Sequence, residues 1–85
     1  MNKFIFKVIK WLEDPESVSQ EEREGNKKEA YAAYDDASYA AFYADSASYS
    51  AADNDREAAI IWVNEHLQET GENKQDYLDA IKEDK

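Results

Sequence analysis

Residues 29–67 read EAYAAYDDASYAAFYADSASYSAADNDREAAIIWVNEHL, and how they fold decides the architecture. The stretch has no Gly and no Pro, and as far as Asp55 it is almost wholly Ala, Tyr, Ser and Asp. At 100° per residue, the angle of a helix with 3.6 residues per turn, Ala33, Ala37, Ala40, Ala44, Ala47 and Ala51 fall on one narrow stripe. Their spacings of 4, 3, 4, 3 and 4 make a heptad seam. A methyl group buries little area, but it lets two backbones approach closely, so that many weak dispersion contacts add up. Such a face needs another helix against it. The six alanines are therefore expected to meet their counterparts in a homo-oligomer.

A second stripe carries the bulk. Tyr31, Phe42, Tyr49, Ile60 and Leu67 are spaced 11, 7, 11 and 7, which keeps them on one line of a straight helix. Tyr34, Tyr39, Tyr43, Ile61 and Val63 flank that line. Each Tyr can bury its ring and keep its hydroxyl at an edge. The stripe reads as core or subunit interface in preference to a stacking platform for bases, because no Lys or Arg lies between Lys28 and Arg56.

Asp53-Asn54-Asp55-Arg56-Glu57 is the one place where this helix could break, since Asn54 and Glu57 have capping-box spacing. Either a single helix of roughly 60 Å runs through it, at about 1.5 Å per residue, or a hairpin folds there. The stripe keeps its phase across the site, so the expectation is one continuous helix over residues 27–70.

Outward from this helix, residues 1–12 (MNKFIFKVIKWL) form a short amphipathic helix with Lys3, Lys7 and Lys10 on one face. Folding back onto the Ile60–Val63 cluster is preferred to anchoring on anionic lipid. Residues 13–26 are an acidic connector. Pro15 stops the first helix by Asp14, and Ser19 with Glu22 caps a short helix. Gly25-Asn26 either ends that helix or is absorbed as a weak point. Gly71 closes the long helix. Asn73 caps a last helix over residues 73–83, whose Tyr77, Leu78 and Ile81 are expected to dock near Trp62.

The chain has 85 residues and a net charge of −10, with no Cys. One small domain is the most it can form, and oligomerisation is a common remedy for so small a core. The absence of Cys excludes a disulfide framework and fits a cytoplasmic protein. No segment is apolar and long enough to span a membrane, and no signal peptide is visible. The acidic balance argues against direct nucleic-acid binding and favours basic partners. Asp35, Asp36, Asp45 and Asp53, with Tyr31, are the candidate partner-binding residues. As a DNA mimic the acidic face falls short. Residues 29–57 carry a net −6 over a length in which duplex DNA carries about 25 charges.

Little catalytic chemistry is available. His66 is the only His, beside an apolar cluster, and reads as an edge residue. No metalloprotease, P-loop or dinucleotide motif is present. Asp53, Asp55 and Glu57 lack the Gly and the terminal Glu of a calcium loop. No catalytic residue, cofactor or metal is assigned, and the chain is not expected to be an enzyme.

The run AYAAYDDASYAAFYADSASYSAAD, the tail WVNEHLQETGENKQDYLDAI and the lead-in WLEDPESVSQEE resemble small Ala/Tyr/Asp-rich helical proteins of large tailed bacteriophages, over roughly residues 11–82. The resemblance implies a class of role: a small acidic protein that binds a host protein and inhibits a restriction nuclease, a CRISPR effector or a toxin, in the host cytoplasm. The expectation is an all-α homo-oligomer that modulates another protein. A scaffold without an inhibitory target, or a peripheral membrane protein held by its first helix, are the alternatives.

Overall fold

Asn2 begins the first helix by accepting hydrogen bonds from the backbone N–H groups of Phe4 (2.8 Å) and Ile5 (3.0 Å). In this computed structural model, which describes residues 1–34 and 38–84, helix α1 spans Lys3–Glu13. It stops at extended Asp14, as a residue before Pro should, and a single 3-10 turn follows over Pro15–Ser17. Helix α2, Gln20–Ala33, starts at the expected capping box, with the Glu22 N–H donating to Ser19 Oγ (3.1 Å). Helix α3 is Tyr39–Ala52, α4 is Arg56–Thr70 and α5 is Lys74–Glu83. The described residues are helical or irregular, with no strand among them.

The continuous helix over residues 27–70 does not form. Its place is taken by the end of α2, by α3 and by α4, and the longest dimension of the molecule is 34 Å. At the second break, Asp53 ends α3 and Asn54 turns left-handed at φ 61°. Asn tolerates that region better than most residues. Asp55, not Asn54, is the cap, accepting from the Ala58 N–H at 3.1 Å. Help also comes from far away in sequence. Arg23 on α2 donates through Nη1 to the Ala51 carbonyl (2.9 Å) and to Asn54 Oδ1, and Gln20 donates to the Ala52 carbonyl (2.7 Å). These donors satisfy carbonyls that a helix end leaves free, and a cation there complements the helix dipole.

The small residues of α3 then pack inside one chain. Ala44, Ala47, Ser48, Ala51 and Ala52 are buried, and α3 lies against α1, α2 and α4. The phase of the large stripe carried no information about continuity, since Tyr49 and Ile60 both remain exposed.

Helix α1 is the centre of the core. Ile5, Val8, Ile9 and Trp11 are buried together with Val18, Ala59, Val63, Tyr77 and Ile81. It covers Val63 as expected, whereas Ile60 and Ile61 face out. Trp11 also sits between two guanidinium groups, Arg23 at 5.0 Å and Arg56 at 5.6 Å from its ring centroid. Helix α5 packs on α1, while Trp62 meets rings of α3. Gly25-Asn26 does not end α2, and no helix resumes at Lys27. Buried Asn26 donates to the Phe4 carbonyl and to Ser48 Oγ, both at 3.2 Å, so α2 is tied to α1 and α3 there. No helix among the described residues is long and apolar enough to cross a membrane.

Candidate functional site

Two surfaces flank α3. On the α2 side, Lys27 and Tyr31 are one helical turn apart, as are Asp45 and Tyr49 on α3. Together with Lys28 these residues line a cleft of about 360 Å³. The Lys27 Nζ stands 4.4 Å over the centroid of the Tyr49 ring. Burial pushes the Asp45 carboxyl above its ordinary pKa, and the nearby Lys27 charge opposes that rise. Tyr31 is 71% exposed and Tyr49 53%, so both rings are open to a visitor.

On the α4 side is a ladder of aromatic rings. Trp62 meets Phe42 edge-on at 5.7 Å and stacks on Tyr43 at 5.8 Å. Tyr43 touches Phe42 at 5.5 Å and stacks on Tyr39 at 6.2 Å. Tyr34, beyond the end of α2, tilts against Phe42 at 6.1 Å. The rings support one another at distances favourable for aromatic pairs, yet the ladder is not covered: Tyr39 is 68% exposed. Partial desolvation raises the Tyr43 pKa, and the carboxylates of Glu65 and Glu69 add to the rise. An apolar surface with an acidic margin results. Phe42 and Tyr49 lie seven residues apart, hence on nearly one line of α3, and that line joins the ladder to the cleft.

The candidate residues from the sequence divide accordingly. Tyr31 and Asp45 come together in the cleft, while Asp53 is the exposed residue that ends α3. Asp35, Asp36 and Ala37 lie outside the described residues. Of the other seam alanines, Ala44, Ala47 and Ala51 are buried within the chain, Ala40 is half-buried and Ala33 is exposed. Sequence reading missed the partnership of Trp62 with Phe42 and Tyr43. No local signal shows it, because the contact exists only once the turn at Asp53–Asp55 is made.

His66 is not an edge residue. It is buried, and its Nδ1 has no hydrogen-bond partner among the described residues. The spacing of Ala59, Val63 and His66, by 4 and 3, already marks an inward stripe. Burial lowers the His66 pKa, and Glu72, whose Oε1 is 3.7 Å from Nδ1, opposes the shift. Burial alone would raise the Glu72 carboxyl. The Tyr77 hydroxyl, donating at 2.6 Å, and the terminal amine of Met1, at 3.4 Å, hold it below its ordinary value. The Tyr77 oxygen in turn accepts from the Asn2 N–H at 2.9 Å. This network fastens the start of α1 to the α4–α5 turn. Among the described residues no three His, Cys, Asp or Glu side chains cluster as a metal site would need.

Compared with protein-family models, curated proteins and solved structures, the chain has no match.

Proposed function

We propose that this protein is a non-enzymatic binding module that docks on another protein through the aromatic ladder of α3 and α4 and modulates that partner. The observation that carries this reading is the exposed ladder Tyr39–Tyr43–Trp62–Phe42 with Glu65 and Glu69 beside it. Trp and Tyr dominate the energetics of protein interfaces because they offer large contact area at small entropic cost. The acidic margin suits a partner with basic groups around an apolar patch. A second copy of this chain would bring like charges together. Self-association through the alanines would require α3 to leave the helices that already cover it. The expected partner is a host defence enzyme, a restriction nuclease, CRISPR effector or toxin, as the resemblance to small phage proteins implies.

Two variants with exposed side chains test the reading. Tyr39→Ser should alter stability by about 0.5 kcal/mol or less. Phe42→Ser gives up ring contacts with Tyr34, Tyr43 and Trp62, worth about 0.5–1.5 kcal/mol each. An unchanged helical circular-dichroism spectrum is therefore required of both before binding is compared. A partner captured from bacterial lysate by the parent chain should be lost by the double variant, with a fall in affinity of about tenfold or more. Retention of the same partner by the double variant would overturn the proposal. So would the failure of the parent chain to capture any partner while forming discrete oligomers, which is what a scaffold would do. Anchoring by α1 is not favoured, since the apolar side chains that would enter the lipid form the core.

A further inference from the structure

We propose that the cleft between α2 and α3 is a binding site for a methylated ammonium group, walled by Tyr31 and Tyr49 with Asp45 as counter-ion and occupied in the free protein by its own Lys27. This site uses none of the ring pairs of the ladder and does not depend on the docking reading.

The cleft already contains the interaction that such a ligand would make. A lysine ammonium stands 4.4 Å over the Tyr49 ring, and the same charge acts on the Asp45 carboxyl. The Asp45 carboxylate lines the same cleft as this ammonium and ring. Cations are attracted to aromatic faces by the ring quadrupole, and quaternary ammonium groups use that attraction widely. Lys27 is half-buried on a flexible stem and can turn out to solvent, and Lys28 at the rim is exposed. A volume of about 360 Å³ is far more than one ammonium fills and lies at the lower end of small-molecule sites.

The lining carries Lys27, Lys28 and Asp45, in a chain with a net charge of −10. The ring face of Tyr49 already holds a cation, and a cation that displaces Lys27 exchanges like for like, leaving the charge of the cleft unchanged. Methylation favours the ligand over an ordinary lysine. A bare ammonium is strongly hydrated, and Asp45 is partly withdrawn from water. Methyl groups weaken that hydration and give the two rings apolar surface to cover.

The test is a titration with Nε-trimethyllysine amide, followed by NMR, with lysine amide as the control of equal charge. The expected result is saturable shifts at Tyr31, Asp45 and Tyr49 with the methylated probe only. Lys27→Met removes the internal competitor and should tighten binding by about threefold or more. Tyr49→Ala should weaken it by about two- to fivefold, the worth of one exposed cation–π contact. Equal responses to both probes, or binding unaffected by Tyr49→Ala, would overturn the proposal. AMP acting on the same residues of the parent chain, and losing that effect in Lys27→Met, would overturn it too by showing an anion site.

Discussion

Burial holds the His66 imidazole below its ordinary pKa, although Glu72 sits 3.7 Å away. The folded protein therefore binds fewer protons at this residue than the unfolded chain does. Stability depends on that difference: where the unfolded state binds more protons, stability rises with pH. The His66 contribution is full above the ordinary value of 6.5 and is lost as the pH falls below it. Glu72, whose pKa is lowered, behaves alike but in a lower window, below its ordinary value of 4.5. Thermal unfolding should show the two separately. Between pH about 7 and 5 the melting temperature should fall in the parent chain and stay nearly level in His66→Gln, while both lose stability at lower pH. A parent chain with no slope in the upper window would mean that His66 is as accessible to protons as an exposed imidazole. The sequence reading places His66 at an edge and passes over the stripe it shares with Ala59 and Val63, which marks it as inward. Its acidic neighbour was not legible, because Glu72 reaches it only through the turn at Gly71.

At the scale of elements, the ends of the helices were the legible part. Ser19, Asn73 and Gly71 read as caps and act locally, within a turn of the backbone groups they satisfy, so short sequence windows contain them. The sequence reading passes over Asn2 and takes Asn54 as the cap where Asp55 serves. What the windows omit is Arg23 and Gln20 reaching the carbonyls of Ala51 and Ala52, 28 and 32 residues away. That capping, with burial of the small face of α3, decides for a hairpin where local pattern suggested continuity. The two glycines make the contrast between local and distant causes measurable. Gly71 lies at φ 73°, while Gly25 is inside α2 with nothing within 4 Å of a Cβ added there. Gly71→Ala should cost about 1 kcal/mol, because a Cβ is strained in the left-handed region. Gly25→Ala should stabilise by up to about 1 kcal/mol, the difference in helix propensity. Denaturant unfolding reads both. Destabilisation by Gly25→Ala would mean that α2 needs its glycine as a break.

For the whole molecule, the question is where a chain of 85 residues finds enough apolar surface. The sequence pattern pointed between chains, to an alanine seam and a bulky stripe that no single partner could cover. The folded chain solves part of this alone, by turning at Asp53–Asp55 and laying α1 at the centre, so that the methyls of Ala44, Ala47 and Ala51 become core. The rings of Tyr31, Tyr39, Phe42 and Tyr49 are left outside, and the proposed docking surface includes two of them, Tyr39 and Phe42. Leucine substitution distinguishes the two uses of the seam. Ala47 is fully buried and Ala33 exposed. Ala47→Leu should overpack the core and cost about 1–3 kcal/mol, or roughly 5–20 °C in melting temperature for a domain of this size. Ala33→Leu should change stability by about 0.5 kcal/mol or less, and neither should alter the mass in solution by light scattering. If Ala47→Leu instead left the melting temperature untouched while the mass changed, the seam would join chains after all. The ladder of Tyr39, Phe42, Tyr43 and Trp62 would then lose its standing as the principal apolar surface on offer to a partner.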